Sequence, residues 1–70
     1  MSVVEKEAAT EDRILNAAMK VFTRRGFAAA RLEDIAREAG INRALLHYYY
    51  RDKQTMFNLI FETRFKEFFK

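Results

Sequence analysis

Between Leu32 and Tyr50 the chain reads LEDIAREAGINRALLHYYY, with apolar or small residues at Leu32, Ile35, Ala36 and Ala39, then at Leu46 and Tyr50. The first set falls on one face of a helix. Gly40 follows it and, having no Cβ, can take the left-handed conformation that ends such a helix. Asn42 is placed as N-cap of the next helix, its side-chain oxygen accepting from a backbone N–H early in the following turn. Ala36 is small enough for a second helix to cross close by, and Ile41 can drop into the shared core. The pattern predicts a helix from near Leu32, a tight turn at Gly40-Ile41-Asn42 and a short helix over roughly 43–49. That order is a helix-turn-helix, in preference to an ordinary helical hairpin.

Upstream, Ile14, Ala17, Ala18, Val21 and Phe22 form another buried stripe at helical spacing. Thr10 is the predicted cap, Glu11 and Asp12 suit the positive end of the helix dipole, and Arg24 and Arg25 sit in the last turn before Gly26. This places the first helix at about 11–25, with residues 1–9 as a disordered arm and Phe27 plugging the core. The start of the second helix is weaker. None of Ala28, Ala29, Ala30 and Arg31 caps well, a deficit of ~1 kcal/mol that Glu33 and Asp34 partly recover through the dipole.

Asp52 can cap a fourth helix from Lys53, and no breaker follows. Met56, Phe57, Leu59, Ile60, Phe61, Phe65, Phe68 and Phe69 spread over more than one stripe of it. Five of the seven phenylalanines lie here, more than a three-helix core can cover. The expectation is that 53–70 begins a helix packing on further chain, since a contiguous exposed apolar patch normally marks an interface. The fold class is all-α: a three-helix domain over 10–52 and the start of a connecting fourth helix.

Composition narrows the function. Seventy residues allow one small domain with a marginal core. With no cysteine and one histidine, a disulfide framework and a structural zinc are excluded, and no cofactor is expected. Zero proline and two glycines suit an all-helical chain. A net charge of +3, from 13 Lys+Arg against 10 Asp+Glu, permits a nucleic-acid partner without requiring one. No apolar run approaches the roughly 18 residues of a membrane span, and the acidic start is no signal peptide, so a soluble, cytoplasmic protein is expected. No nucleophile–base pair, metal set or phosphate loop supports an enzyme.

The short third helix carries the candidate chemistry. A helix fits the major groove of B-DNA, where its N-terminal residues reach base edges. Arg43 could hold guanine O6 and N7 with both arms of its guanidinium, and Ala44 allows close approach to a thymine methyl. Leu45 either does likewise or packs beneath the fourth helix. His47, Tyr48 and Tyr49 can donate to phosphate oxygens, and tyrosines also lie flat on sugars. Lys53 opposes the dipole of its own helix and is easier to explain facing a phosphate; Arg31 invites the same account.

With these residues in hand, the chain resembles the N-terminal DNA-binding domain of the TetR (tetracycline repressor-like) family of transcriptional regulators. The match runs from about Thr10 to Ile60, through T-x-x-x-I-L-x-A-A-x-x-x-F, G-F, and I-A-x-x-A-G-I-N-R-A-L-L-H-Y-Y-Y-R-D-K-x-x-M-F. The resemblance implies a homeodomain-like helix-turn-helix fold, a fourth helix leading into a C-terminal domain, homodimerisation through that domain, and a small-molecule inducer that weakens binding to a double-stranded operator. By position it implies DNA contacts from Arg31 and Leu32 at the start of the second helix, from Asn42, Arg43, Ala44, Leu45, His47, Tyr48 and Tyr49 around the third, and from Lys53. Threonines are usual in the family where Ala30 and Arg31 stand here, serine where Asn42 stands, glycine where Ala44 stands, and tyrosine where His47 stands. The histidine would make its phosphate contact depend on protonation. The competing class is a helical protein-interaction module docking through the Phe-rich C-terminal helix.

Overall fold

The computed structural model describes the backbone of residues 3–68 and the side chains of residues 8–63. Among these residues there are four helices: α1 (Val3–Arg25), α2 (Leu32–Ala39), α3 (Arg43–Tyr49) and α4 (Lys53–Phe68). The two middle helices lie where the apolar spacing and turn residues put them. α1 does not begin at Thr10. The helix runs from Val3, so most of the expected arm is helical backbone, and Thr10 lies within the helix and not at its N-terminus. No glycine or proline interrupts this stretch, and Ala8 and Ala9 favour helix. Met1 and Ser2, also assigned to the arm, lie outside the described residues.

α2 packs across α1, α4 lies against α1, and α3 rests on α2. The largest fully buried side chains are Ile14, Ile35, Leu46 and Met56, one from each helix. Each such burial is worth roughly 1.5–3 kcal/mol. Between them sit Ala17, Ala18, Ala36 and Ala39, whose small side chains let the helices approach, with Val21, Ala30 and Tyr50 completing the core. Ala36 is 3 % exposed, as expected of a helix-crossing residue.

Local chemistry sets the helix ends. Gly40 has φ 74°, and its N–H donates to the carbonyls of Ala36 and Arg37. The N–H of Ile41 reaches back to the Ala36 oxygen at 3.0 Å, closing the left-handed turn. The side chain of Asn42 accepts from the Leu45 N–H at 2.7 Å. Asp52 accepts from both the N–H and the hydroxyl of Thr55, at 2.8 and 2.9 Å, and these bonds hold its carboxyl below the usual range. Arg31, at the head of α2, makes no side-chain cap.

Phe27 is half-buried and sits beside the main core. Its ring lies 5.6 Å from that of Phe22 and 5.2 Å from that of Phe57, so the three form an aromatic cluster joining α1, the α1–α2 connection and α4, with Phe22 also packed against the core. On α4, Met56 is buried and Ile60 half-buried, while Leu59 and Phe61 are exposed. Phe65 and Phe68 lie beyond the described side chains and Phe69 beyond the described backbone.

Ionic contacts between α1 and α2 were not anticipated. Arg24 pairs with Glu38 at 2.7 Å, and Arg25 approaches Asp34 at 4.0 Å. The two arginines read as dipole partners at the end of α1 therefore also hold α2. Arg13 donates to the carbonyl oxygen of Ala39 at 2.6 Å.

Candidate nucleic-acid interface

α3 contributes one buried anchor, Leu46, which is 0 % exposed. Taking its direction as inward, Ala44 and Tyr48 stand about 160° round the helix, Leu45 and His47 about 100° to either side, and Arg43 and Tyr49 about 60°. The exposures follow this wheel except at Arg43, which is exposed in the first turn of the helix although it stands as close to the inward direction as Tyr49. Tyr48 is 74 % exposed and Leu45 39 %, and Arg43, Ala44 and His47 are exposed as well. Leu45 belongs neither to the buried core nor to the half-buried side chains packed against it. The outward surface of α3 is small, aromatic and apolar at its pole, with one cation at its start and an imidazole on its flank.

Tyr49 is less exposed than its neighbours on α3. It is half-buried and packed against the core, because its position on the wheel points more inward than outward. Its ring meets that of Tyr48 edge-on at 5.1 Å, so it braces the exposed tyrosine from behind. Tyr50 is core, as its spacing from Leu46 indicates; burial, with Glu11 and Asp12 nearby, pushes its phenol up from the ordinary value.

The remaining predicted residues gather beside the start of α3. An open cleft of about 550 Å³ is lined by Arg31, Leu32, Arg43 and Lys53, together with Arg51. Arg31 is exposed and only loosely engaged by Glu33, at 3.7 Å. Leu32 is half-buried against the core. Asn42 is exposed, its carbonyl oxygen used for capping and its NH₂ group hydrogen-bonded to no partner among the described residues. Arg51 was missed by sequence reasoning. It sits in the α3–α4 connection, outside any helical stripe, and only the fold brings it to the same cleft as Arg31 and Arg43.

Lys53 is engaged within the protein. Its ammonium donates to the carbonyls of Phe27, Ala28 and Ala30 at 2.5, 3.1 and 3.0 Å, and sits 4.5 Å from the centre of the Phe27 ring. The argument that a cation here needs a phosphate falls away, because the α1–α2 connection supplies the acceptors.

The described residues contain no group of three or more His, Cys, Asp or Glu placed to hold a metal, and no helix long and apolar enough to cross a membrane. What they present is a short helix standing out from a three-helix base, next to a basic cleft. A family model for bacterial regulatory proteins of the tetR family matches residues 14–60. The chain belongs to the tetR family. Over 59 residues it is 37 % identical to the HTH-type transcriptional repressor NicS of Pseudomonas putida, covering 84 % of this chain and 28 % of that protein. It is 41 % identical over 56 residues to an HTH-type transcriptional repressor of Streptomyces coelicolor, covering 80 % of this chain and 29 % of the relative. It is 34 % identical over 53 residues to the regulator AcrR of Shigella flexneri, covering 76 % and 25 %. No solved structure matches it significantly. This tetR-family chain spans less than a third of the length of these relatives. Its family is one of transcriptional regulators, and the domain is a regulator's helix-turn-helix unit, not an enzyme.

Proposed function

We propose that this domain binds double-stranded DNA in a sequence-specific way, with α3 lying in the major groove. The observation that carries the reading is the outward surface of α3. Arg43, Ala44, Leu45, His47 and Tyr48 are all exposed on a helix whose one buried side chain, Leu46, roots it in the core. Arg43 is the direct reader, through a bidentate contact to guanine. Ala44 and Leu45 offer apolar contact to thymine methyl groups, and His47 and Tyr48 reach phosphate or sugar. Arg31, Leu32 and the free amide of Asn42 flank the backbone, and Tyr49 contributes through its edge alone.

In the full-length protein the domain works as one half of a homodimer, responding to a small-molecule inducer bound by additional chain and acting as a repressor. This part rests on family membership and on relatives named as repressors. Two copies of α3 one helical turn apart, roughly 34–36 Å, call for a near-palindromic operator. Selection of bound duplexes from a random pool tests the proposal. Enrichment of inverted repeats by the full-length protein supports it, and retention of no sequence over random duplex contradicts it.

A further inference from the structure

The cleft beside α3 holds four basic residues in different states. The ammonium of Lys53 has three donors, and three carbonyls accept from it. Reaching a phosphate would break at least one of these bonds. Arg51, two residues earlier, is exposed, and among the described residues no hydrogen bond or ion pair engages its guanidinium. It lines the cleft with Arg31 and Arg43, so its five donors face the surface on which a DNA backbone beside α3 would lie. The acids of the cleft are already engaged, Glu33 by Arg31 at 3.7 Å and Asp52 by Thr55 at 2.8 Å.

We propose that Arg51 supplies the DNA phosphate contact at the start of α4, while Lys53 is a positioning residue that ties the α1–α2 connection to that helix. The assignment rests on the DNA-binding reading above. A guanidinium with all its donors unspent is a better phosphate ligand than an ammonium already saturated by backbone. Lys53 holds Ala30, and with it the head of α2 where Arg31 projects, so its effect on DNA is indirect.

The test compares Arg51→Met, Arg51→Lys and Lys53→Met with the unchanged chain, measuring the salt dependence of affinity for a short duplex and the thermal midpoint without DNA. Arg51→Met is expected to shallow the log–log salt slope by about 1 with no change in midpoint. Arg51→Lys should restore most of the slope. Lys53→Met should lower the midpoint while leaving the slope, measured well below that midpoint, in place. An unchanged slope in Arg51→Met overturns the proposal, as does a shallower slope in Lys53→Met at an unchanged midpoint. If the unchanged chain shows no salt-sensitive binding, the DNA reading itself fails, an outcome distinct from either.

Discussion

The guanidinium of Arg13, near the middle of α1, donates to the backbone carbonyl of Ala39 at 2.6 Å, so the first helix holds the end of the second where the helix-turn-helix bends. Gly40 lies directly beside it, and a Cβ built there would meet Nη2 of Arg13 at 3.2 Å. With φ at 74°, the same Cβ would also strain the backbone. Gly40→Ala is expected to cost about 1–2 kcal/mol from the left-handed conformation alone. Arg13→Met should cost less, about 1 kcal/mol, since one charge-assisted bond at a partly exposed site is lost. Denaturant unfolding of the two variants checks the order.

Capping of α3 by Asn42 should be separable from DNA contact. Asn42→Ala is expected to destabilise by ~1 kcal/mol, and Asn42→Ser or Asn42→Asp to keep nearly all of the stability. If Asn42→Ser is as unstable as Asn42→Ala, the bond to the Leu45 N–H is not the cap it resembles.

Stability should fall on the acid side in part through Asp52. Hydrogen bonds from the Thr55 N–H and hydroxyl depress its folded-state pKa below that of the unfolded chain. The unfolded chain therefore binds more protons across that interval. The contribution is fully present above the unfolded carboxylate range and is lost as pH falls through the depressed folded value. Asp52→Asn should flatten this acid limb of a stability-against-pH curve while leaving stability near neutral pH little changed.

Two residues on opposite sides of α3 should give opposite phenotypes. Leu46→Ala removes a fully buried side chain and should cost about 2–5 kcal/mol of stability. Tyr48→Ala alters a side chain that is 74 % exposed and should leave the thermal midpoint almost unmoved while weakening DNA binding. A large loss of stability in Tyr48→Ala would mean that Tyr48 is part of the base and not of the reading surface.

Which features could be read from the chain follows from what kind of signal each leaves. The turn at Gly40, the cap at Asn42 and the inward Leu46 are local, fixed by spacing within a few residues, and the structure has them where the pattern put them. The start of α1 was missed because helix propensity without an apolar stripe leaves no periodic trace. The intramolecular partners of Lys53 left no trace in the sequence because they are backbone oxygens of residues 27, 28 and 30, and carbonyls are invisible to side-chain pattern. Arg13 meets Ala39, and Arg51 shares its cleft with Arg31, across long separations in sequence, and only the packing of the helices brings them together.

The central claim is that α3 is a reading helix whose first residue carries base discrimination. Alanine at Arg43 tests it most directly, with affinities measured against the selected operator and its single-base variants. The account predicts a loss of about 1–3 kcal/mol on the operator and relaxed preference at one base position, with stability unchanged. An Arg43→Ala domain that keeps the full base preference of the original would contradict it.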